Sequence, residues 1–184
     1  MHSIFSITTF FKVIVGLTFI FLTVSVFASN EEESDSYAER YRQAGHPATT
    51  PAIFDDLSMD KDPAIRKRVA SNRKTPKNVL LRLAHDSEQS VKISVATNLS
   101  AADDVYLILA RDSMQAVRSV VSRFEYVPVV ALEILSEDKD ADIRVEVARN
   151  LNTTKEILIQ LSRDSDNSVS VIAEQALQRL KDHR

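Results

Sequence analysis

Apolar residues recur along this chain in short groups that return every 26 residues. Within each group they are three or four positions apart, which places them on one face of a helix. The clearest groups are Val79, Leu80, Leu83, Ala84 and then Val91, Val95, Ala96, Leu99. Each unit is therefore predicted to contain two helices of about ten residues, separated by polar turns.

Charged residues follow the same interval of 26 residues. An acid recurs at Asp60, Asp86, Asp112, Asp138 and Asp164, and a base follows six residues later at Arg66, Lys92, Arg118 and Arg144. Ser170 interrupts the column of bases. A period between 20 and 50 residues is typical of stacked supersecondary units. We therefore predict an all-α solenoid of five two-helix repeats.

The turns and the chain ends also fit this arrangement. Thr75 is a predicted N-cap with Pro76 in the first helical turn, and Thr153 with Glu156 is a predicted capping box. Asparagines at 72, 98 and 150 are interpreted as turn formers that tolerate the left-handed region. Residues 36–46 and the long last helix are predicted to be capping half-repeats.

The repeated string resembles a known group of bacterial repeats. Thr-Pro-x-x-x-Leu-x-x-Leu-Ala-x-Asp, followed by Val/Ile-Arg-x-x-Val-Ala-x-Asn, is similar to the leucine-rich-repeat variant group and, more broadly, to HEAT-like repeats, over about residues 44–176. The resemblance implies a right-handed, armadillo-like α-solenoid used mostly as a scaffold. An Fe–S module that the group is known for is not expected, because the chain has no cysteine.

The N-terminal residues predict export. Residues 1–28 contain an uncharged, mostly apolar stretch before Val26-Phe27-Ala28, which is typical of a cleaved signal peptide. The alternative is an uncleaved anchor. An acidic leader is predicted at 29–35 and the solenoid domain at 36–184. The protein is therefore expected to be periplasmic or secreted.

Enzymatic chemistry is not expected from this sequence. Without cysteine, thiolate metal sites and cysteine nucleophiles are excluded, and the four histidines are scattered along the chain. His85, Asp86 and Ser87 are adjacent in the chain, whereas catalytic triads assemble from separated positions. We predict neither cofactor nor metal.

The acid and base columns are interpreted as a structural ladder. Its predicted pairs join residues six positions apart, namely Asp60 with Arg66, Asp86 with Lys92, Asp112 with Arg118 and Asp138 with Arg144. Such charge-assisted bonds would fix the stacking register of neighbouring units. A catalytic array is the less favoured interpretation.

Candidate partner-binding residues lie outside the repeated pattern. They are Lys67, Arg68, Arg73, Lys74, Lys77, Arg123, Phe124, Tyr126 and Arg149. The first five belong to a run of bases, Arg66–Arg82, that contains no acid. We expect variable positions of the second helices, among them Lys67, Ile93, Ser94, Val120 and Val145, to display one binding face. The alternatives are an ordinary solvated charge run, a patch covered by the acidic leader, and a Phe124 that only fills local space.

The predicted function is an exported, non-enzymatic scaffold that binds a protein partner. The alternative is a membrane-associated structural protein, held by an uncleaved N-terminus with the basic run on an anionic surface. Nucleic acid is disfavoured as a partner by the export signal and by the lack of interleaved aromatic residues. Self-association is left open.

Overall fold

A computed structural model describes residues 36–182 of the chain. The predicted signal peptide (1–28), the predicted acidic leader (29–35), His183 and Arg184 lie outside the described residues. Contacts divide the described chain into two units, residues 36–42 and residues 43–182.

The described part of the first unit, residues 36–42, is helical. Tyr37 and Tyr41 stack with ring centroids 5.9 Å apart. The Arg42 guanidinium and the Glu39 carboxylate form an ion pair of 2.5 Å between residues three positions apart. Both contacts have the spacing that brings side chains together on a helix surface.

The regular elements within residues 36–182 are all α-helices, which confirms the predicted all-α class. Helix α1 covers residues 36–45. The others are α2 (Pro51–Leu57), α3 (Pro63–Ser71), α4 (Lys77–Leu83), α5 (Gln89–Ala96), α6 (Asp103–Leu109), α7 (Gln115–Arg123), α8 (Val129–Ser136), α9 (Ala141–Arg149), α10 (Lys155–Leu161) and α11 (Asn167–Asp182).

These helices pack in two rows within the second unit. The odd-numbered helices from α3 to α11 each contact the next one in their row, and the even-numbered helices from α4 to α10 do the same. Sequential helices also contact each other across the two rows. The result is a repeat-like array in which each helix is supported mainly by close neighbours in the chain.

The core of the array is built from the apolar positions that recur in the sequence. One such column, with 0–1% of each side chain exposed, is Ile65, Val91, Val117, Ile143 and Val169. Helices of seven to nine residues, as most of these are, are marginal on their own in water. Burial of these columns between neighbouring helices therefore provides the stability that the single helices lack.

The predicted helix caps at Thr75 and Thr153 are wrong. Helix α4 has Pro76 at its N-cap without a side-chain cap bond, and α10 is capped by Thr154, which accepts a hydrogen bond from the Ile157 N–H. The buried Thr75 and Thr153 hydroxyls donate to the carbonyls of Val69 (2.6 Å) and Val147 (2.5 Å). A buried hydroxyl needs a partner. These two carbonyls each accept it as a second hydrogen bond, beside that from the N–H of Asn72 or Asn150.

Candidate functional site

Four bases in odd-numbered helices each bind the carboxylate of the Asp twenty residues further along. The ion pairs are Arg66–Asp86 (2.6 Å), Lys92–Asp112 (2.5 Å), Arg118–Asp138 (2.6 Å) and Arg144–Asp164 (2.6 Å). The predicted pairs, in which each base bonds the side chain of the Asp six residues earlier, are wrong. Asp164 was missing from the predicted ladder, although its place in the acid column was visible in the sequence.

The earlier Asp contributes its main chain to the ladder. Arg118 donates from Nη1 to the Asp112 carbonyl at 2.8 Å, while its Nε and Nη2 bind the two carboxylate oxygens of Asp138. Arg66 bonds the Asp60 carbonyl in the same way, also at 2.8 Å. Each arginine thus connects two successive turns.

Each ladder carboxylate also orders its own turn. The Asp86 carboxylate accepts a hydrogen bond from the Glu88 N–H at 2.9 Å, and the Asp112 carboxylate accepts one from the Met114 N–H at 2.8 Å. Such a bond to the main chain two residues on is an Asx turn. The column of aspartates is therefore required by the local turn as well as by the ion pair.

Burial and hydrogen bonding decide the charge state of the ladder. The side chains of Arg118 and Asp138 are only 7% and 5% exposed. Burial works against ionisation of Asp138, but hydrogen bonds from Arg118 and from the Asp140 N–H outweigh it and lower the pKa of this carboxyl. The Arg118 pKa is raised by its bond to Asp138. The pair is therefore ionised at neutral pH.

Asparagine side chains form a second set of links between turns. The Asn98 amide donates to the carbonyls of Ala70 (2.7 Å) and Asn72 (3.0 Å) in the preceding turn. Asn72 and Asn150 make the corresponding pairs of bonds. The three asparagines also form turns as predicted, since each Oδ1 accepts from the N–H two residues on. Positive φ does not occur at any described residue, so these turns do not use the left-handed region. These asparagines are clamps between units, and sequence analysis missed that role.

The basic run contains both engaged and exposed side chains. Arg66 belongs to the ladder, and Arg82 binds Asp55 at 2.7 Å. The Arg68 guanidinium lies so close to Gly45 that a Cβ at Gly45 would overlap it. All five candidates of the run are exposed at the surface, namely Lys67, Arg68, Arg73, Lys74 and Lys77.

The proposed display face is only partly realised by the second helices. Ser94 and Val145 are buried, at 8% and 9% exposed, and Ile93 and Val120 pack against the core. Helices α5, α7 and α9, which carry these four residues, each have a neighbour on both sides in their row. The prediction that all the variable second-helix positions form one binding face is therefore wrong.

Two further arginines among the candidates make only local contacts. The exposed Arg123 donates to the Ser119 carbonyl at 3.2 Å, and Arg149 forms an ion pair with Glu146 at 3.3 Å. Surface pairs of this kind contribute little to stability. Their role in partner binding stays a prediction.

A groove of about 430 Å³ lies at the turn that departs most from the repeat. Its walls include Arg73, Thr97, Asn98, Leu99, Phe124 and Tyr126, and we call it the turn groove. The Phe124 ring stacks on the buried Tyr106 ring at 6.0 Å and meets Tyr126 edge-on at 5.7 Å. The structure thus brings together Arg73, Phe124 and Tyr126, which the sequence singled out separately.

A second groove, of about 490 Å³, is lined by the adjacent His, Asp and Ser residues that have the residue types of a catalytic triad. His85, Asp86 and Ser87 line it together with Arg66. Asp86 accepts two hydrogen bonds from Arg66, at 2.6 and 2.9 Å, so its carboxylate is held by the ladder. This arrangement orients Asp86 toward the arginine and gives it a structural role.

The described residues define the class of this protein as an all-helical, repeat-like array. Comparison of the chain with protein-family models, with curated proteins and with solved structures gave no match. Among residues 36–182, no three His, Asp or Glu side chains are grouped so that they could hold a metal ion. The helices in that range are too short or too polar to cross a membrane.

Proposed function

We propose that this protein is an exported, non-enzymatic scaffold that binds another protein. In this proposal the array is a right-handed, HEAT-like α-solenoid of five 26-residue repeats with half-repeats at its ends, and residues 1–28 are a cleaved signal peptide. Repeat arrays of this kind bind partners through surfaces that stacking does not use. Fold alone does not decide function, so the proposal depends on the surface residues.

One observation carries the proposal: repeated residues hold the array together, and several residues outside the repeat are exposed. Ladder bases such as Arg118 and clamps such as Asn98 are buried, at 5% and 4% exposed. By contrast Lys74, Lys77 and Tyr126 are exposed. Conformational stability and partner binding would thus be assigned to different residues, which is the arrangement expected of a scaffold.

The exposed bases supply the charge for an initial encounter with a partner. The side-chain ammonium groups of Lys67, Lys74 and Lys77, which we call the lysine set, have no hydrogen bond or ion pair in the described part of the chain. Exposed like charges attract an acidic surface and raise association rates in a salt-dependent way. We therefore expect the partner to be acidic where it meets the array.

The test is crosslinking in intact cells followed by recovery of the full-length chain. Wild type is compared with a charge-reversed chain in which Lys67, Lys74 and Lys77 are changed to Glu, and with a control carrying Lys139→Glu and Lys155→Glu at exposed positions elsewhere. We expect a specific partner that is lost with the first variant, is retained with the control and is recovered with less efficiency at high salt. Recovery of no partner by wild type would overturn the scaffold function.

The same cells separate the scaffold from a membrane-bound structural protein. Mass spectrometry of the recovered chain gives the mature N-terminus, and we expect a residue near Ser29. A chain that begins at Met1 and stays in the membrane fraction after a high-salt wash would contradict the exported scaffold. It would support the anchored alternative.

A further inference from the structure

We infer that the turn groove binds an extended segment of the partner protein in which an acidic residue stands next to an apolar or aromatic one. This inference rests on the proposed scaffold function and names the site and the chemistry of its ligand. It follows from three observations. The side-chain links between two successive turns are missing, aromatic side chains stand at those positions, and a base lies beside them.

The first part of the interruption is at position 124, where Phe replaces the clamp Asn. In the turns before and after, the amides of Asn98 and Asn150 each donate to two carbonyls of the preceding turn. The equivalent carbonyls for position 124 are those of Ala96 and Asn98, because the clamp reaches back 28 and 26 residues. Phe124 has no donor to offer them.

The second part is at position 126, where Tyr stands in a column of short polar residues. Ser100 donates its hydroxyl to the Arg73 carbonyl at 2.7 Å, and the Asn152 amide donates to the Glu125 carbonyl. Position 126 would correspondingly reach the Leu99 carbonyl, 27 residues back. The Tyr126 hydroxyl instead bonds the Glu125 carboxylate, a contact that raises the Tyr126 pKa. One junction in the row of turns therefore lacks both kinds of side-chain link.

The missing links leave the Ala96 and Leu99 carbonyls without the side-chain donor that their counterparts in other turns have, while the Asn98 carbonyl accepts from the Ala101 N–H at 2.9 Å. The N–H groups of a ligand can supply that donor. An extended segment exposes its own N–H groups, whereas a helix has already used most of them internally. Binding of an extended strand by main-chain hydrogen bonds, with side-chain pockets for selectivity, is a known mode of peptide recognition. The groove volume of about 430 Å³ lies within the range of ligand sites, about 300–1,000 Å³. An extended segment is therefore the ligand that these acceptors fit.

The walls of the turn groove specify the side chains of that segment. Phe124 and Tyr126 offer ring faces and edges, and Leu99, which is 53% exposed, adds apolar surface. These side chains favour an apolar or aromatic residue in the ligand. Glu125 also lines the groove, and its carboxylate is paired with the Tyr126 hydroxyl, whereas the exposed Arg73 guanidinium has no ion pair among the described residues and favours a carboxylate beside it. The ligand is thus acidic and apolar at neighbouring positions.

The test uses a library of random twelve-residue peptides displayed on phage, selected against the full-length chain. Enriched peptides are synthesised with a fluorescent label, and their affinity is measured by anisotropy. We expect Asp or Glu next to Phe, Tyr, Leu or Ile among the enriched sequences. We also expect binding to weaken at least tenfold with Arg73→Glu, with Tyr126→Ser and with Phe124→Asn. The last change gives position 124 the amide that neighbouring turns use for their clamp.

Matched controls separate binding from folding. Tyr126 is 62% exposed, and a serine there could form the link to the Leu99 carbonyl, so Tyr126→Ser should not lower the melting temperature even if Phe124→Asn does so through the lost ring contact with Tyr106. Leu151, which is 88% exposed outside the groove, provides the control Leu151→Ser, with peptide affinity expected to be unchanged. Selected peptides without an acidic–apolar pair, or equal affinity for wild type, Arg73→Glu and Tyr126→Ser, would overturn the inference.

The scaffold function and this inference can fail separately. A cellular partner that is crosslinked equally well by wild type and by the Arg73→Glu and Tyr126→Ser variants leaves the scaffold standing and overturns the turn groove as its site. Recovery of no cellular partner overturns the scaffold whatever the library yields. One further outcome would overturn the inference. In it the library yields no selected peptide, and the wild type and these two variants bind anionic phospholipid vesicles with equal affinity.

Discussion

The Arg118 guanidinium holds the Asp138 carboxylate with two hydrogen bonds, from Nε to Oδ2 at 2.6 Å and from Nη2 to Oδ1 at 3.1 Å. Its remaining Nη1 donates to the Asp112 carbonyl at 2.8 Å. One side chain on α7 therefore joins the turn before its own helix to the turn that precedes α9. Bidentate contacts of this type fix distance and orientation together, so they set how successive units stack.

Removing the acid from this pair is expected to destabilise the array strongly. Asp138→Ala leaves the Arg118 guanidinium, which is 7% exposed, without a counter-ion. Loss of one partner from a buried pair costs about 3 kcal/mol or more. Urea unfolding followed by circular dichroism should show this loss in the free energy of unfolding.

The corresponding change at Asp112 should cost less. Lys92 makes a single bond to Asp112, and a flexible ammonium can move toward water more easily than a guanidinium held by three bonds. The control is Glu133→Ala at an exposed helix position, with a change within about 0.5 kcal/mol. An Asp138→Ala protein as stable as the Glu133→Ala protein would rule out the ladder as a source of stability.

Replacing the one lysine in the ladder by arginine should stabilise the protein. Lys92 is 8% exposed, and its Nζ binds Asp112 at 2.5 Å. An arginine there can add the second carboxylate bond and the bond to the Asp86 carbonyl that arginines 66, 118 and 144 make to the equivalent carbonyls. We expect Lys92→Arg to raise the free energy of unfolding by about 1 kcal/mol.

The measurement for this variant is a urea titration at neutral pH. Lys139→Arg, at an exposed position, is the control and should have no effect. A loss of stability with Lys92→Arg would mean that this junction is too narrow for a guanidinium.

Removal of a clamp amide should destabilise the row of turns. Asn98 is 4% exposed and donates to the carbonyls of Ala70 and Asn72, while its Oδ1 accepts from the Ser100 N–H at 2.9 Å. Asn98→Ala leaves these groups without their partner, which costs about 2 kcal/mol. Thermal melting of Asn98→Ala beside the exposed control Asn78→Ala measures the effect. Equal melting temperatures would contradict the clamp.

Acid should weaken the ladder in a definite direction. Burial opposes the ionisation of Asp86 and Asp138, but hydrogen bonds from their arginines outweigh it, and the Arg144 bond dominates at Asp164; all three pKa values are lowered. A native pKa below the unfolded value, about 3.9 for Asp, contributes stability that is complete above the unfolded value. That contribution is lost as the pH falls through the native pKa.

We therefore expect the melting temperature to decrease once the pH is lower than about 4. Asp138→Asn removes one of the titrating groups, so its melting temperature should be lower at pH 7 but fall less steeply between pH 5 and 3. Melting curves for both chains across this range provide the check. Parallel curves would show that Asp138 does not contribute to the acid sensitivity.

Much of the array was predictable because stacking imposes the same demands on every unit. Apolar columns such as Ile65 with Val91 recur since each helix buries the same face against its neighbour. The aspartate column recurs because each turn uses a carboxylate to bond the main chain two residues on, as Asp112 does with Met114. Signals of this kind depend on nearby residues, and they can be read from the order of amino acids alone.

The contacts between successive turns could not be obtained in that way. An acid and a base six residues apart, or twenty residues apart, satisfy the same pattern, and only the stacked positions of the turns placed Arg118 on Asp138. The same holds for Asn98, whose amide reaches the Ala70 carbonyl 28 residues back. The groove beside Phe124 likewise is lined by residues of two turns that helix packing brings together. The sequence by itself determined which residues repeat and which faces are buried, while the tertiary structure decided their partners, because partner choice depends on the distance between stacked units.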